Sequence, residues 1–137
     1  KRDQIPEMAG MFQREVALRL AADKGSKIYG VTSVLTQAYY QVDYLFTLDE
    51  HAFIPPPRVK SGVIHLRRHA IMPDVPYKDL ARVVKTAFGL RRKTLRNALK
   101  SLTFSNLELF ESFAHLRAEQ LSVADFINLA KHLSHEN

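Results

Sequence analysis

Three consecutive prolines, Pro55-Pro56-Pro57, constrain this chain more than any other feature. Each proline fixes φ and removes a backbone donor, so the segment Phe53-Ile54-Pro55-Pro56-Pro57 can be neither a helix interior nor a central strand. It reads as a stiff, extended connector between two strands. On its N-terminal side Val42, Tyr44, Phe46 and Leu48 alternate with Asp43 and Thr47, the period-two signature of a strand. On its C-terminal side Val59 to Arg67 is a β-branched run expected to return beside that strand. Further upstream, Met8 to Val16 is apolar and short enough for a buried strand, with a pattern that also suits the start of a helix. Val16, Leu18, Leu20 and Ala21 continue in helix-forming residues until Gly25, and Val31, Val34, Leu35, Ala38 and Tyr39 have helical spacing.

Ala70 to Pro76 holds two prolines and no periodicity, which places a domain boundary there and divides the chain into residues 1–70 and 71–137. Everything beyond it reads as helix. Leu80, Val83, Val84, Ala87 and Phe88 form one apolar stripe, with Gly89 as its expected C-cap. Leu95, Leu99 and Leu102 form a second stripe, and Leu107, Phe110 and Phe113 a third. Ser122 with Asp125 spells a capping box ahead of Val123, Phe126, Ile127, Ala130 and Leu133. Helices this short bury one face only against each other, so the tail is expected to be a small helical bundle.

Composition enters through what it excludes. The 137 residues include no cysteine, so disulfides, thiolate metal sites and a cysteine nucleophile are all ruled out. No stretch approaches the ~18 apolar residues of a membrane span. The start, Lys-Arg-Asp-Gln-Ile-Pro, has neither a signal-peptide apolar region nor an initiator Met. The expectation is a cytoplasmic protein without membrane contact, numbered from inside a longer chain. Its formal charge of +6 is unevenly spread. Residues 1–57 balance at −1, residues 58–100 at +10 and residues 101–137 at −3. A block of one sign is the electrostatic footprint of a polyanion, usually a nucleic acid.

Within that block lies Arg91-Arg92-Lys93-Thr94-Leu95-Arg96-Asn97-Ala98-Leu99-Lys100. Read as a helix, it sets Arg92, Arg96 and Lys100 on one face at i, i+4 and i+8, with Arg91 and Lys93 broadening the row. Cations at a helix N-terminus oppose the macrodipole, a cost more easily explained if they serve a phosphate-bearing ligand. Arg82 and Lys85 on the preceding stripe extend the same surface. A catalytic constellation is missing. The glycines at 10, 25, 30, 62 and 89 are too dispersed for a nucleotide-cradling loop. The six histidines show no metal-ligand grouping, although His132 and His135 stand at i, i+3. Ser33 and Ser61 lack nucleophile-elbow surroundings.

The segment FIPPPRVKSGVIHL, Phe53 to Leu66, resembles the F-x-P-x-P-x-V-x-S-x-V-x-x-L signature of the ribosomal RNA adenine dimethyltransferases, matching at Phe53, Pro55, Pro57, Val59, Ser61, Val63 and Leu66. MFQREVALRL and GSKIYGVTSVLTQAYY resemble two further stretches of that family in the same order. AFGLRRKTLRNAL and RAEQLSVADFINLA are similar to the helical tail of its KsgA/RsmA-type branch, which modifies small-subunit ribosomal RNA. Erm-type relatives, which modify large-subunit RNA, share the proline signature. Val31 departs from the family pattern, where many relatives carry Arg after Tyr-Gly, and Gly89-Leu90 departs before the basic run.

The resemblance implies an enzyme that uses S-adenosylmethionine to convert two adjacent adenosines near the 3′ end of small-subunit rRNA into N6,N6-dimethyladenosine. It implies an α/β fold: a Rossmann-like methyltransferase domain followed by an all-α domain. This chain would be the C-terminal portion, with residues 1–70 as the last three strands of the sheet and residues 71–137 as an RNA-binding helical domain. The cofactor loop and the catalytic Asn-Leu-Pro-Tyr motif are absent, so neither cofactor binding nor activity is expected of this portion alone. Phe53 matches the position that packs on the target adenine, with Pro55 and Pro57 fixing the backbone beneath it. Arg91, Arg92, Lys93, Arg96 and Lys100 would meet rRNA phosphates on a small-subunit (30S-type) precursor. Self-association is expected through the Met8–Glu15 strand, whose family neighbour is absent. The alternatives are a non-enzymatic nucleic-acid-binding helical module and a portion of an Erm-type enzyme.

Overall fold

In the computed structural model, which describes residues 7–48 and 60–135, the Met8–Val16 stretch proves to be both strand and helix. Strand β1, Glu7–Gln13, runs directly into helix α1, Arg14–Leu20, and the Arg14 N–H donates to the Lys60 carbonyl at 2.8 Å where the chain turns. Helix α2, Val31–Tyr39, likewise passes without a break into β2, Tyr40–Leu48. β3, Ser61–Arg68, returns beside it as expected. The proline segment that joins β2 to β3, with Phe53, Pro55 and Pro57, lies outside the described residues.

β3 is the central strand of a three-stranded sheet of order β1-β3-β2 and is antiparallel to both neighbours. Among the described residues β1 pairs only with β3 and so forms an edge. Alternation along β3 buries Gly62, Ile64 and Leu66, which face α1 and form a small core with Ala17. Phe12, Leu20, Val42 and Tyr44 pack around it. The approach of helix to sheet depends on glycine: a Cβ at Gly62 would lie 2.8 Å from the Ala17 Cβ and 2.9 Å from the Tyr44 ring.

The remaining elements are helical: α3 (Tyr77–Gly89), α4 (Leu95–Ala98), α5 (Leu107–Phe113), a 3₁₀ turn (Ala118–Gln120) and α6 (Val123–Lys131). The α3 stripe behaves as its spacing implies, with Leu80, Val83, Val84 and Ala87 fully buried. At the start of α6 the Ser122 hydroxyl accepts from the Asp125 N–H at 3.1 Å and the Asp125 carboxylate from the Ser122 N–H at 3.0 Å, the reciprocal capping box. Gly89 departs from expectation. It is the last residue of α3 and does not take a left-handed conformation, and Leu90 follows at φ −124°. The glycine with positive φ is Gly25, at +90°, whose N–H reaches the Glu119 carbonyl at 2.7 Å.

The larger core spans the 70–76 stretch. Tyr29, Val34, Ala38 and Tyr39 join Leu80, Val84, Leu95, Leu99, Leu121, Phe126 and Leu129 in one cluster, and Met72 and Val75 pack against it. Tyr29 is 1% exposed and donates its hydroxyl to the Leu121 carbonyl at 2.8 Å. Burial, with the carboxylates of Asp125 and Asp23 adding to it, pushes its phenol up to about 12. Ser33, also buried, accepts from the Gly30 N–H and donates to the Arg19 carbonyl, tying α2 to α1. Among the described residues no helix is long and apolar enough to cross a membrane.

Candidate nucleic-acid interface

The basic run does not form the long helix that its spacing suggests. α4 is four residues long, and Arg92 precedes it while Lys100 follows it, so Arg92, Arg96 and Lys100 do not share one helical face. The cause lies in the backbone. Leu95 N–H donates to the Leu116 carbonyl at 2.7 Å and Arg96 N–H to the Ala114 carbonyl at 3.0 Å, beside an antiparallel bridge between Thr94 and Arg117. Donors spent on residues 114–116 cannot reach the carbonyls four residues earlier, so the helix begins at Leu95. Leu95 and Leu99, both fully buried, hold this short turn against the larger core.

The five cations then divide by what holds them. Arg91 is a clip: its guanidinium donates to the carbonyls of Ser26 (3.3 Å) and Lys27 (3.0 Å) and pairs with Glu119 at 3.3 Å. It also lies 5.3 Å from the Phe88 ring centre, in cation–π range. Arg96 makes a two-pronged contact with Glu111, at 2.6 and 3.0 Å, across from α4 to α5. That hydrogen bond holds the Glu111 carboxyl below its ordinary value and raises the Arg96 guanidinium. Arg92, Lys93 and Lys100 are exposed and make no ion pair among the described residues. Lys78, Arg82 and Lys85 add three exposed cations along α3.

Sequence reasoning missed the structural work of Arg91 and Arg96. A signal for it was present, because the acidic excess of residues 101–137 supplies both partners, Glu111 and Glu119. Leu107 also departs from its expected stripe and is 68% exposed. His132 and His135 do not act together: His135 instead bonds the buried Asp79 carboxylate at 2.9 and 3.0 Å. Among the described residues no group of three or more His, Asp and Glu could hold a metal ion. Two of the glycines serve internal packing, since the space a Cβ would need at Gly10 is taken by Phe12 and at Gly62 by Ala17 and Tyr44.

Comparison with known proteins adds a lineage to this geometry. The family model described as ribosomal RNA adenine dimethylase matches residues 1–135. A protein of Cytophaga hutchinsonii named ribosomal RNA small subunit methyltransferase A is 54% identical over 135 residues, covering 97% of this chain and 52% of its own length. Proteins of the same name from Flavobacterium johnsoniae and Bacteroides thetaiotaomicron are 53% and 50% identical, with 50% and 49% of their lengths covered. The chain thus spans about half the length of the curated relatives it matches. Among solved structures, a dimethyladenosine transferase from Plasmodium falciparum superimposes with a TM-score of 0.80 at 20% identity, covering 91% of this chain and 56% of that one. The 23S rRNA methyltransferase ErmE gives 0.60 at 19% identity, covering 93% and 55%. At those identities the likeness concerns the fold.

Proposed function

The chain belongs to the ribosomal RNA adenine dimethylase family, and on that premise we propose that it is the RNA-docking portion of a small-subunit rRNA adenine N6,N6-dimethyltransferase. In this reading the enzyme acts in the cytoplasm on a 30S-type precursor and methylates two adjacent adenosines near the 3′ end of its RNA. The sheet is the C-terminal part of a Rossmann-like methyltransferase domain, residues 71–137 are its helical RNA-binding domain, and a strand of the same sheet would lie against the open β1 edge. In its absence that edge favours self-association. The five glycines, at 10, 25, 30, 62 and 89, form no glycine-rich loop, and S-adenosylmethionine is assigned to the half of the family's length that this chain does not span.

The observation that carries the proposal is the trio of exposed cations, Arg92, Lys93 and Lys100, at the two ends of α4. Their surroundings fix them in space: Arg91 clips the preceding turn and Arg96 braces α4 against α5. Unpaired cations on a braced surface suit phosphates, which set position and orientation on a folded RNA without reading its sequence. Phe53 would pack on the flipped adenine, with Pro55 and Pro57 holding the ring in place. Two measurements test this. The gene product carrying this sequence should transfer methyl groups to undermethylated 30S particles, with N6,N6-dimethyladenosine at two neighbouring sites by mass spectrometry. Arg92→Glu with Lys93→Glu should weaken binding to those particles and flatten the salt slope by about 0.7–0.9 for each phosphate no longer neutralised. An unchanged affinity and slope would remove the docking role.

A further inference from the structure

Between α4 and α5 lies a solvent-open cavity of about 160 Å³. Its walls are Leu99, Leu102, Phe104, Leu107 and Phe110, with Arg96, Lys100 and Thr103 around them. Three features distinguish it from an ordinary surface dimple. Phe104 and Phe110 are stacked on each other, 5.2 Å between ring centres and 16° from parallel, and Phe104 is only 5% exposed, so the aromatic area left to the cavity comes mainly from the Phe110 ring. Leu107 leaves 68% of its area in solvent at the cavity's edge, although it belongs to an otherwise apolar stripe. The two helices that form the walls are bridged by the Arg96–Glu111 contact. Lys100 stands beside this apolar floor as an exposed cation without an ion-pair partner among the described residues.

We propose that this cavity takes the base of one unstacked nucleotide, with the nucleotide's phosphate on Lys100. The proposal rests on the RNA-docking reading and adds to it a specific seat for an unpaired residue. The charge complement selects the occupant. An apolar slot rimmed by a free lysine, continuous with the basic run, suits a planar ring that carries an anion. Folded RNA offers such groups at bulges and loops, where bases are splayed out and stacked on aromatic side chains. Both requirements, a flat apolar wall and a nearby cation, are met here within α4, α5 and the turn between them.

The test uses the 137-residue chain with adenosine monophosphate and inorganic phosphate as probes. In methyl-detected NMR, adenosine monophosphate should shift Leu99, Leu102 and Leu107, and phosphate alone should not. Equal shifts from both, or none from the nucleotide, would overturn the base seat. Binding to undermethylated 30S particles gives the second arm. Leu107→Asp, at an exposed position where folding is checked by an unchanged Tm, should lower affinity roughly tenfold or more. If Leu107→Asp binds like the parent while Lys93→Glu binds weakly, the cavity proposal falls and the docking reading stands. If neither variant changes binding, the docking reading falls as well. If Leu107→Asp binds particles weakly but protein-free rRNA normally, the occupant is an apolar side chain of a protein, and the nucleotide assignment is wrong.

Discussion

In the helical region Leu80, Val83, Val84, Leu95, Leu99, Leu121 and Phe126 are sealed from solvent, whereas in the sheet region Met8, Met11, Leu45 and Phe46 remain 38%, 54%, 51% and 51% exposed. The register makes the contrast sharper. Met11 of β1 and Phe46 of β2 both pair with Val63 of β3, so an apolar row crosses all three strands on the face opposite Ile64 and Leu66. α1 covers one side of the sheet, and among the described residues no helix packs on the other. Exposed apolar groups that line up in this way mark a surface built to be covered. The helices, by contrast, complete their own core with help from α2. One region thus has its apolar side chains sealed in a core, and the other leaves an apolar row in solvent.

The severest test of that contrast is Phe126→Ala. Phe126 is fully buried and its ring centre lies 5.7 Å from that of Phe88, so truncation should cost about 3–5 kcal/mol. Because α2 contributes Val34 and Ala38 to the same core and continues directly into β2, the sheet should melt with the helices. Circular dichroism and tyrosine fluorescence should then report one coincident, lowered Tm. A sheet transition that stayed at the parent temperature would break the comparison by showing that the sheet stands alone.

Gly62→Ala probes the other side with a smaller effect. The new methyl would collide with Ala17 and Tyr44, and overpacking of this kind costs about 1–3 kcal/mol. Hydrogen exchange should speed up in β1, β3 and α1 and change little in α3 and α6. Equal loss of protection in α6 would mean that the two cores act as one.

These two tests fall on elements that local pattern already marks. The alternation through Val42 and Tyr44, the α3 stripe and the Ser122–Asp125 box are set by neighbours within a few residues, and each forms where its pattern lies. α4 was not legible, because its start is decided by hydrogen bonds from Leu95 and Arg96 to residues about twenty positions away. The same distance hides the division of labour in the basic run. Spacing alone makes Arg91, Arg92 and Arg96 look alike, yet Glu119 and Glu111 take the first and third and leave the second without an ion pair among the described residues. The proline segment with Phe53 lies outside the described residues, so its role rests on family resemblance.

Met11→Lys should alter stability by less than about 0.5 kcal/mol, since the side chain is already half in water. Its effect should fall on association instead. A lysine on an edge strand discourages pairing with another chain, so sedimentation velocity at micromolar concentration should show less self-association than the parent. A parent that sediments as a monomer would show that exposed apolar area on the sheet does not by itself drive assembly.

The smallest expected effect lies in the helical region, at an exposed brace. Arg96 and Glu111 are 58% and 54% exposed, so their contact is screened and contributes little to global stability. Its pH dependence has a definite sign. The Glu111 carboxyl titrates below its ordinary value because Arg96 hydrogen-bonds it, so whatever stability the pair supplies is present above the ordinary carboxylate range. That contribution is lost as the pH falls through the lowered value. Glu111→Gln should therefore melt slightly below the parent at neutral pH and together with it in acid. A difference that persists in acid would mean that Glu111 supports α5 by packing rather than by charge.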